Sequence, residues 1–147
     1  MKPLLIALTF LASVFAKPTF ANDGEIKPAV IRTFERTFTN AKNVEWTITT
    51  NMYKARFEMA GQVVTAYYNT SGQQLAVTRN ITSHQLPLTL QTAMKNEYPN
   101  HWITSLFELT NDEGTTYYVT LENAETKTVL QSQSTQAWTV YQKTQQP

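Results

Sequence analysis

Two histidines, His84 and His101, and no cysteine make up this chain's stock of the side chains that most often serve as general bases, nucleophilic thiols and transition-metal ligands. A two-histidine metal site would need carboxylates converging on the same point. Neither helical spacing nor a paired acid accompanies either residue. His84 falls in a connection before a predicted helix and His101 just beyond its end, beside Trp102, so both read as loop or capping residues. A serine nucleophile needs a positioned base and an oxyanion hole, and no motif of that kind brackets Ser71, Ser83, Ser105, Ser132 or Ser134. The four glycines stand singly, which leaves no phosphate-cradling run. The residues therefore predict no catalytic site, no metal and no cofactor, and they direct attention to surfaces.

The elements that would carry such a surface follow from hydrophobic period. Between Ile26 and Asn40, Val30, Ile31, Phe34 and Phe38 recur at helical spacing, with Pro28 where a first turn tolerates it. After Lys42 the period becomes two. Val44, Trp46 and Ile48 alternate with polar residues; Tyr53, Ala55, Phe57 and Met59 do the same; further strands are predicted over 62–69 and about 74–81. A second helix then follows, with Leu86, Leu90, Ala93, Met94 and Tyr98 on one face, Pro87 near its start and Pro99 at its end. Strands near 102–109, 117–121, 126–133 and 136–142 complete the chain. Gly61, Gly72 and Gly114 fall at the predicted hairpins. The tail from Gln142 to Pro147 reads as disordered.

The order helix then four strands occurs twice, over about 28–81 and 87–142. Val30 and Leu90, Phe34 and Met94, and Phe38 and Tyr98 are each 60 residues apart, while Tyr53 and Tyr117, Ala55 and Val119, and Phe57 and Leu121 are each 64 apart. The expected fold class is α+β: a tandem duplication of a helix plus four-stranded antiparallel sheet unit, with the helices packed on one sheet face.

At the N-terminus, Met1 and Lys2 precede an apolar run from Pro3 to Ala16, too short for a span of about 20 residues and followed by small residues at Thr19 and Ala21. Residues 1–21 read as a secretory signal cleaved after Ala21, with Ala16 as the other candidate. The mature domain would be residues 22–147, exported to the periplasm or secreted, with no membrane span. Loss of Lys2 and Lys17 leaves ten basic against eleven acidic residues. That balance gives no electrostatic footprint for nucleic acid and no polybasic membrane patch. Charged residues make up 16% of the chain, against about 25% in typical domains, and twenty-four threonines supply much of the polarity. Threonine suits pleated, half-buried surfaces.

The run Val30, Phe34, Phe38, Asn43, Val44, Trp46, Tyr53, Phe57, Gly61, Tyr68, Asn69 and Gly72, followed by Leu86–Pro87, Tyr98–Pro99 and Tyr117, Val119 and Leu121, resembles the PepSY-like, β-lactamase-inhibitor-like family of exported bacterial proteins. The resemblance spans nearly the whole mature chain through core and turn positions. It implies two helix-plus-four-strand units side by side, helices on one sheet face and the other face open. The inhibitor of that name presents aromatics on its open sheet and inserts an acidic hairpin turn into the enzyme. Here the corresponding turn, near Met59 to Gln62, has no carboxylate beyond Glu58. In the bacterial setting so implied, the sequon Asn80-Ile81-Thr82 is a chance match.

Period-two geometry assigns the open face. If Tyr53, Ala55 and Phe57 face the helix, Lys54, Arg56 and Glu58 face away; Tyr68 inward puts Tyr67 outward; Tyr117 and Val119 inward put Tyr118, Thr120 and Glu122 outward. Lys54, Arg56, Tyr67 and Tyr118 are thus the candidate protein-binding residues, of the types interface hot spots favour. Trp46 and Trp138 are expected in the core, and Trp102, just past the helix-ending Pro99, at a rim or in a buried position with equal weight. The leading expectation is a non-catalytic exported protein binding another protein or peptide, for instance as an inhibitor of an envelope enzyme. A small-ligand carrier or an enzyme with a pocket between sheet and helices is the alternative, and a structural envelope module that self-associates or binds cell-wall polymer is a third.

Overall fold

The computed structural model describes residues 24–133 and 135–147; the expected signal, residues 1–21, lies outside them. Eight strands form one antiparallel meander in sequence order: β1 (Lys42–Ile48), β2 (Met52–Met59), β3 (Gln62–Asn69), β4 (Gln74–Asn80), β5 (Trp102–Asn111), β6 (Gly114–Glu122), β7 (Thr126–Ser132) and β8 (Thr139–Gln145). Helix α1 (Pro28–Thr37) precedes β1, and helix α2 (Leu88–Glu97) lies between β4 and β5 after a single 3-10 turn at Ser83–Gln85.

This overturns the expected tandem of four-stranded units. β4 and β5 pair directly, Val77 with Thr110, Thr78 with Leu109, Arg79 with Glu108 and Asn80 with Phe107, so the eight strands are one sheet. Two separate sheets would each have left another row of backbone N–H and C=O groups unpaired at that boundary. Joining them satisfies both rows. The final strand also runs further than expected. Residues through Gln145 pair with β7, and the Gln146 side chain donates to Glu122 Oε2, the Asn123 carbonyl and the Thr126 carbonyl, so the tail is held rather than loose.

Helix α1 follows from an apolar stripe at i, i+4 and i+8. Val30, Phe34 and Phe38 are buried, and Pro28 occupies the first turn, where its missing N–H costs nothing. Phe34 meets Trp46 at 5.2 Å and Phe57 at 5.1 Å, both edge to face, a preferred geometry for aromatic pairs. The β3–β4 turn closes beneath this helix. Asn69 Oδ1 accepts from the Ser71 N–H, the Ser71 hydroxyl and the Gln73 N–H. Gly72, at φ +92°, brings its backbone so close to Ala29 that a Cβ would stand 3.1 Å from the Ala29 Cβ.

The register places both helices on one face. Tyr53, Ala55 and Phe57 of β2 pair with Tyr68, Ala66 and Val64 of β3, and these pack with α1. Leu106 pairs with Val119 and Val119 with Leu130, and these pack with Leu86, Leu90 and Met94. Trp138 donates its indole N–H to the Leu90 carbonyl at 2.9 Å, tying the segment before β8 to α2. On this face Val77 of β4 joins the α1 core and Ile81, just past the end of β4, joins the α2 core, with Arg79 between them. Arg79 donates through Nε (2.9 Å) and Nη2 (2.8 Å) to Glu108 Oε1 and through Nη1 to Gln62 Oε1 (3.1 Å). A polar clamp across the β4–β5 joint thus separates two apolar cores.

Tyr68 lies fully buried in the α1 core, and burial pushes its phenol up to about 12 from the usual 10. A folded-state value above the unfolded one gives a contribution present in full below about pH 10 and lost as pH rises toward about 12. Unfolding stability measured across that interval should therefore fall less steeply in Tyr68→Phe than in the native chain. Equal slopes would rule out burial of this phenol as the cause.

Candidate binding face

The face opposite the helices carries its own apolar cluster. Tyr67 (β3), Ala76 (β4), Leu109 (β5), Tyr118 (β6) and Val129 (β7) are buried there, with Met52, Leu75, Phe107 and Tyr141 packed against them. Phe107 stacks on Tyr118 with centroids 5.2 Å apart and planes 18° apart. Tyr141 meets the other side of Tyr118 edge-on at 5.7 Å, reaching across β7. Burial raises the Tyr118 phenol, with a smaller push from Tyr141, and burial raises Tyr141 too. The Tyr141 hydroxyl is buried without a hydrogen-bond partner among the described residues.

The four residues selected from the sequence all project to this side. Tyr67 pairs with Lys54, and Arg56 pairs with Thr65, the neighbouring register position on β3. Tyr118 lies three strands from Tyr67 and four register positions further along, with Ala76 and Leu109 in the same cluster between them. Their exposure divides them. Tyr67 and Tyr118 are only 6% and 3% exposed, whereas the Arg56 side chain is 53% exposed and reaches Glu45 at 3.7 Å. An exposed pair at that distance adds little stability. The tyrosines are the floor of the face, and the cations stand at its β1–β2 margin.

Phe107, Leu109, Val129 and Tyr141 were not among the selected residues, although a signal was present. Adjacent apolar pairs, Tyr67–Tyr68, Leu106–Phe107, Tyr117–Tyr118 and Val129–Leu130, place one side chain on each face, which marks strands covered on both sides. Trp102 is 54% exposed, in register with Glu122 at the start of β5. Glu122 is held by Lys127 Nζ at 3.1 Å and by the Thr104 hydroxyl at 3.2 Å, both on Oε1. The hydrogen bond from Lys127 holds the Glu122 carboxyl below its usual 4.5, against an opposing push from burial and with help from the Lys127 charge, Thr104 and Gln146.

The histidines do not converge. His84 sits in the 3-10 turn before α2 and His101 follows that helix, whose ten residues span about 15 Å. His101 Nε2 lies 3.0 Å from Asn123 Nδ2. Asn123 Oδ1 accepts from the backbone of Glu125 and Thr126 and from the Thr126 hydroxyl, so its amide must donate to the imidazole. Among the described residues no group of three or more histidines and carboxylates could hold a metal ion, and no helix is long and apolar enough to cross a membrane.

No protein-family model and no curated protein matches the sequence. Solved structures do match. A BLIP-like protein from Bacteroides fragilis is 17% identical with a TM-score of 0.69, covering 91% of this chain and 91% of that one. A DUF2874 family protein from Bacteroides ovatus is 20% identical with a TM-score of 0.71, covering 83% and 89%. A protein from Bacteroides eggerthii assigned by inference to the periplasm is 12% identical with a TM-score of 0.72, covering 83% and 90%. At these identities the likeness is one of fold. The chain has a β-lactamase-inhibitor-like fold, and none of these neighbours carries a PepSY-like description.

If the aromatic floor is structural, Tyr118→Ala should cost about 3 kcal/mol, near the lower end for removing a large buried aromatic, read as a lower urea midpoint. Tyr118→Phe, which keeps the packing, should stay within about 1 kcal/mol of the native chain. Acid stability tests the Glu122 cluster. A depressed folded-state value gives stability present above about 4.5 and lost as pH falls below it. The drop in Tm between about pH 6 and about pH 3 should be smaller in Glu122→Gln than in the native chain.

Proposed function

We propose that this chain is an exported, non-catalytic binding protein whose helix-free sheet face engages a protein partner in the bacterial envelope, with inhibition of an envelope enzyme as the specific form. The observation that carries this reading is the aromatic cluster built on a face that no helix covers. Burying apolar side chains under α1 and α2 follows from the helices' stripes. A second cluster of Tyr67, Phe107, Leu109, Tyr118 and Tyr141 on the opposite face needs a separate reason. A rigid floor of large amphipathic rings is what a recognition surface requires, because little conformational entropy is then lost on association.

Export is supported by the sequence of residues 1–21 and by the inferred periplasmic assignment of the B. eggerthii protein. The BLIP-like description of the B. fragilis protein favours a protein partner. A pocket between sheet and helices is the less favoured reading. Phe34, Phe57 and Tyr68 occupy that space under α1, and Leu90, Leu121 and Leu130 occupy it under α2. Among the described residues the buried polar side chains are Thr120, Thr128 and Ser132, with no acid or histidine among them.

The test is capture from the envelope fraction with residues 22–147 as bait, in native form and as two variants. Thr116→Arg places a cation on the helix-free face beside Leu109, and Lys54→Ala/Arg56→Ala strips its margin. Glu35→Ala on the exposed side of α1 serves as control. One protein held by the native chain and by the control, and bound at least tenfold more weakly by Thr116→Arg, is the expected result. Equal capture by all forms, or capture of nothing, would remove the helix-free face as the binding surface.

A further inference from the structure

Trp102 heads a row that crosses half of the helix-free face. It pairs with Glu122, Glu122 with Lys127, and Lys127 with Thr144. The indole is 54% exposed, the largest exposed aromatic among the described residues. Its neighbours along the row are polar. The aromatic floor around Phe107 and Tyr118 is two rows away, roughly 13 Å along the strands. An anchor for a protein partner usually sits at the centre of an apolar patch ringed by contacts that exclude water, and Trp102 does not.

The charges beside it cancel. Glu122 takes Lys127 and Thr104 on Oε1 and Gln146 on Oε2, so both carboxylate oxygens are engaged and the ion pair is locally neutral. The exposed residues continuing this region, Thr104, Gln142 and Thr144, are uncharged donors and acceptors. Nothing here would draw a phosphate, an acidic peptide or a polycation. A flat ring beside hydroxyl, amide and neutralised charged groups instead matches a sugar. The C–H face of a pyranose is apolar and polarised positive, which suits the negative face of an indole, while its hydroxyls reach sideways to donors and acceptors.

We propose that Trp102, with Thr104, Glu122, Lys127 and Thr144, forms a binding subsite for an uncharged polysaccharide chain, the sugar ring stacking on the indole. The proposal rests on the helix-free face being the binding surface, but it needs no protein partner and uses the opposite end of that face from Lys54 and Arg56.

The test is titration of residues 22–147 with chitotetraose, cellotetraose and maltotetraose to about 10 mM, the range of weak single-site binding. Tryptophan emission and calorimetry are the readouts. Trp46 and Trp138 are partly buried in the two cores, so a change in the exposed indole is separable by comparison with Trp102→Ala. The expected result is saturable binding of at least one of the three sugars, weakened roughly tenfold in Trp102→Ala, about the worth of one good ring contact. Trp102→Phe should retain part of the binding, and Thr116→Arg all of it. No saturable response to any of the three, or a response that Trp102→Ala leaves intact, overturns the subsite. If an envelope protein is captured and Trp102→Ala releases it while no sugar binds, Trp102 is a protein anchor; the proposal then fails while the broader reading of the face stands.

Discussion

Pairing between β4 and β5 is the constraint on which the rest of this structure depends. Without it, each half would be a short meander with a helix on one side and too little area on the other to hold an aromatic layer. With it, Thr65, Thr78, Leu109 and Thr116 align in successive register pairs across four strands, and rings from β3 and β6 share one cluster. The joint itself is held on the helix side by Arg79 and Glu108. An ion pair there adds direction where apolar packing has none. It excludes water poorly, yet the forked contact is satisfied only when β4 and β5 take the observed register. A slip of one residue would turn Arg79 onto the aromatic face.

The same constraint gives the helix-free face the width that its apolar cluster occupies. A sheet whose outer surface is simply wetted alternates apolar with polar along each strand. Here β3, β5, β6 and β7 are apolar at adjacent positions, and the outward members cover one another across strands. Tyr118 is buried with Phe107 and Tyr141 lying against it, and among the described residues no helix packs on this side. The resulting floor is preformed. Its margins, at Arg56 on one side and Trp102 on another, carry side chains more than half exposed.

Much of this was legible in the sequence, and the limits have physical causes. Element type came through because Val30, Phe34 and Phe38 keep a helical period while Tyr53, Ala55 and Phe57 keep a period of two. The side assigned to Tyr67 and Tyr118 followed from that alternation alone. Their burial did not, because alternation fixes direction but says nothing of what neighbouring strands contribute. The joining of β4 to β5 was also out of reach. Strand pairing between segments separated by a helix depends on backbone groups that every residue type carries, so it leaves no mark in side-chain pattern. Likewise the Gln-rich end reads as loose by composition, yet an open β7 edge and the partners of Gln146 hold it.

The absence of convergent chemistry among the described residues and the presence of a preformed apolar floor on the helix-free face have a common origin. Catalysis needs polar groups held in a partly desolvated cleft with their proton affinities shifted to suit the reaction. In this fold the desolvated spaces are the two helix–sheet cores and the aromatic floor, and each is closed by Phe, Leu, Val and Tyr. Ionisable side chains are left between and around these spaces, where Glu122 and Lys127, Arg79 and Glu108, and Arg56 and Glu45 neutralise one another. Cores committed to rings, and charges committed to one another, leave the broad, rigid helix-free face as the largest preformed surface among the described residues.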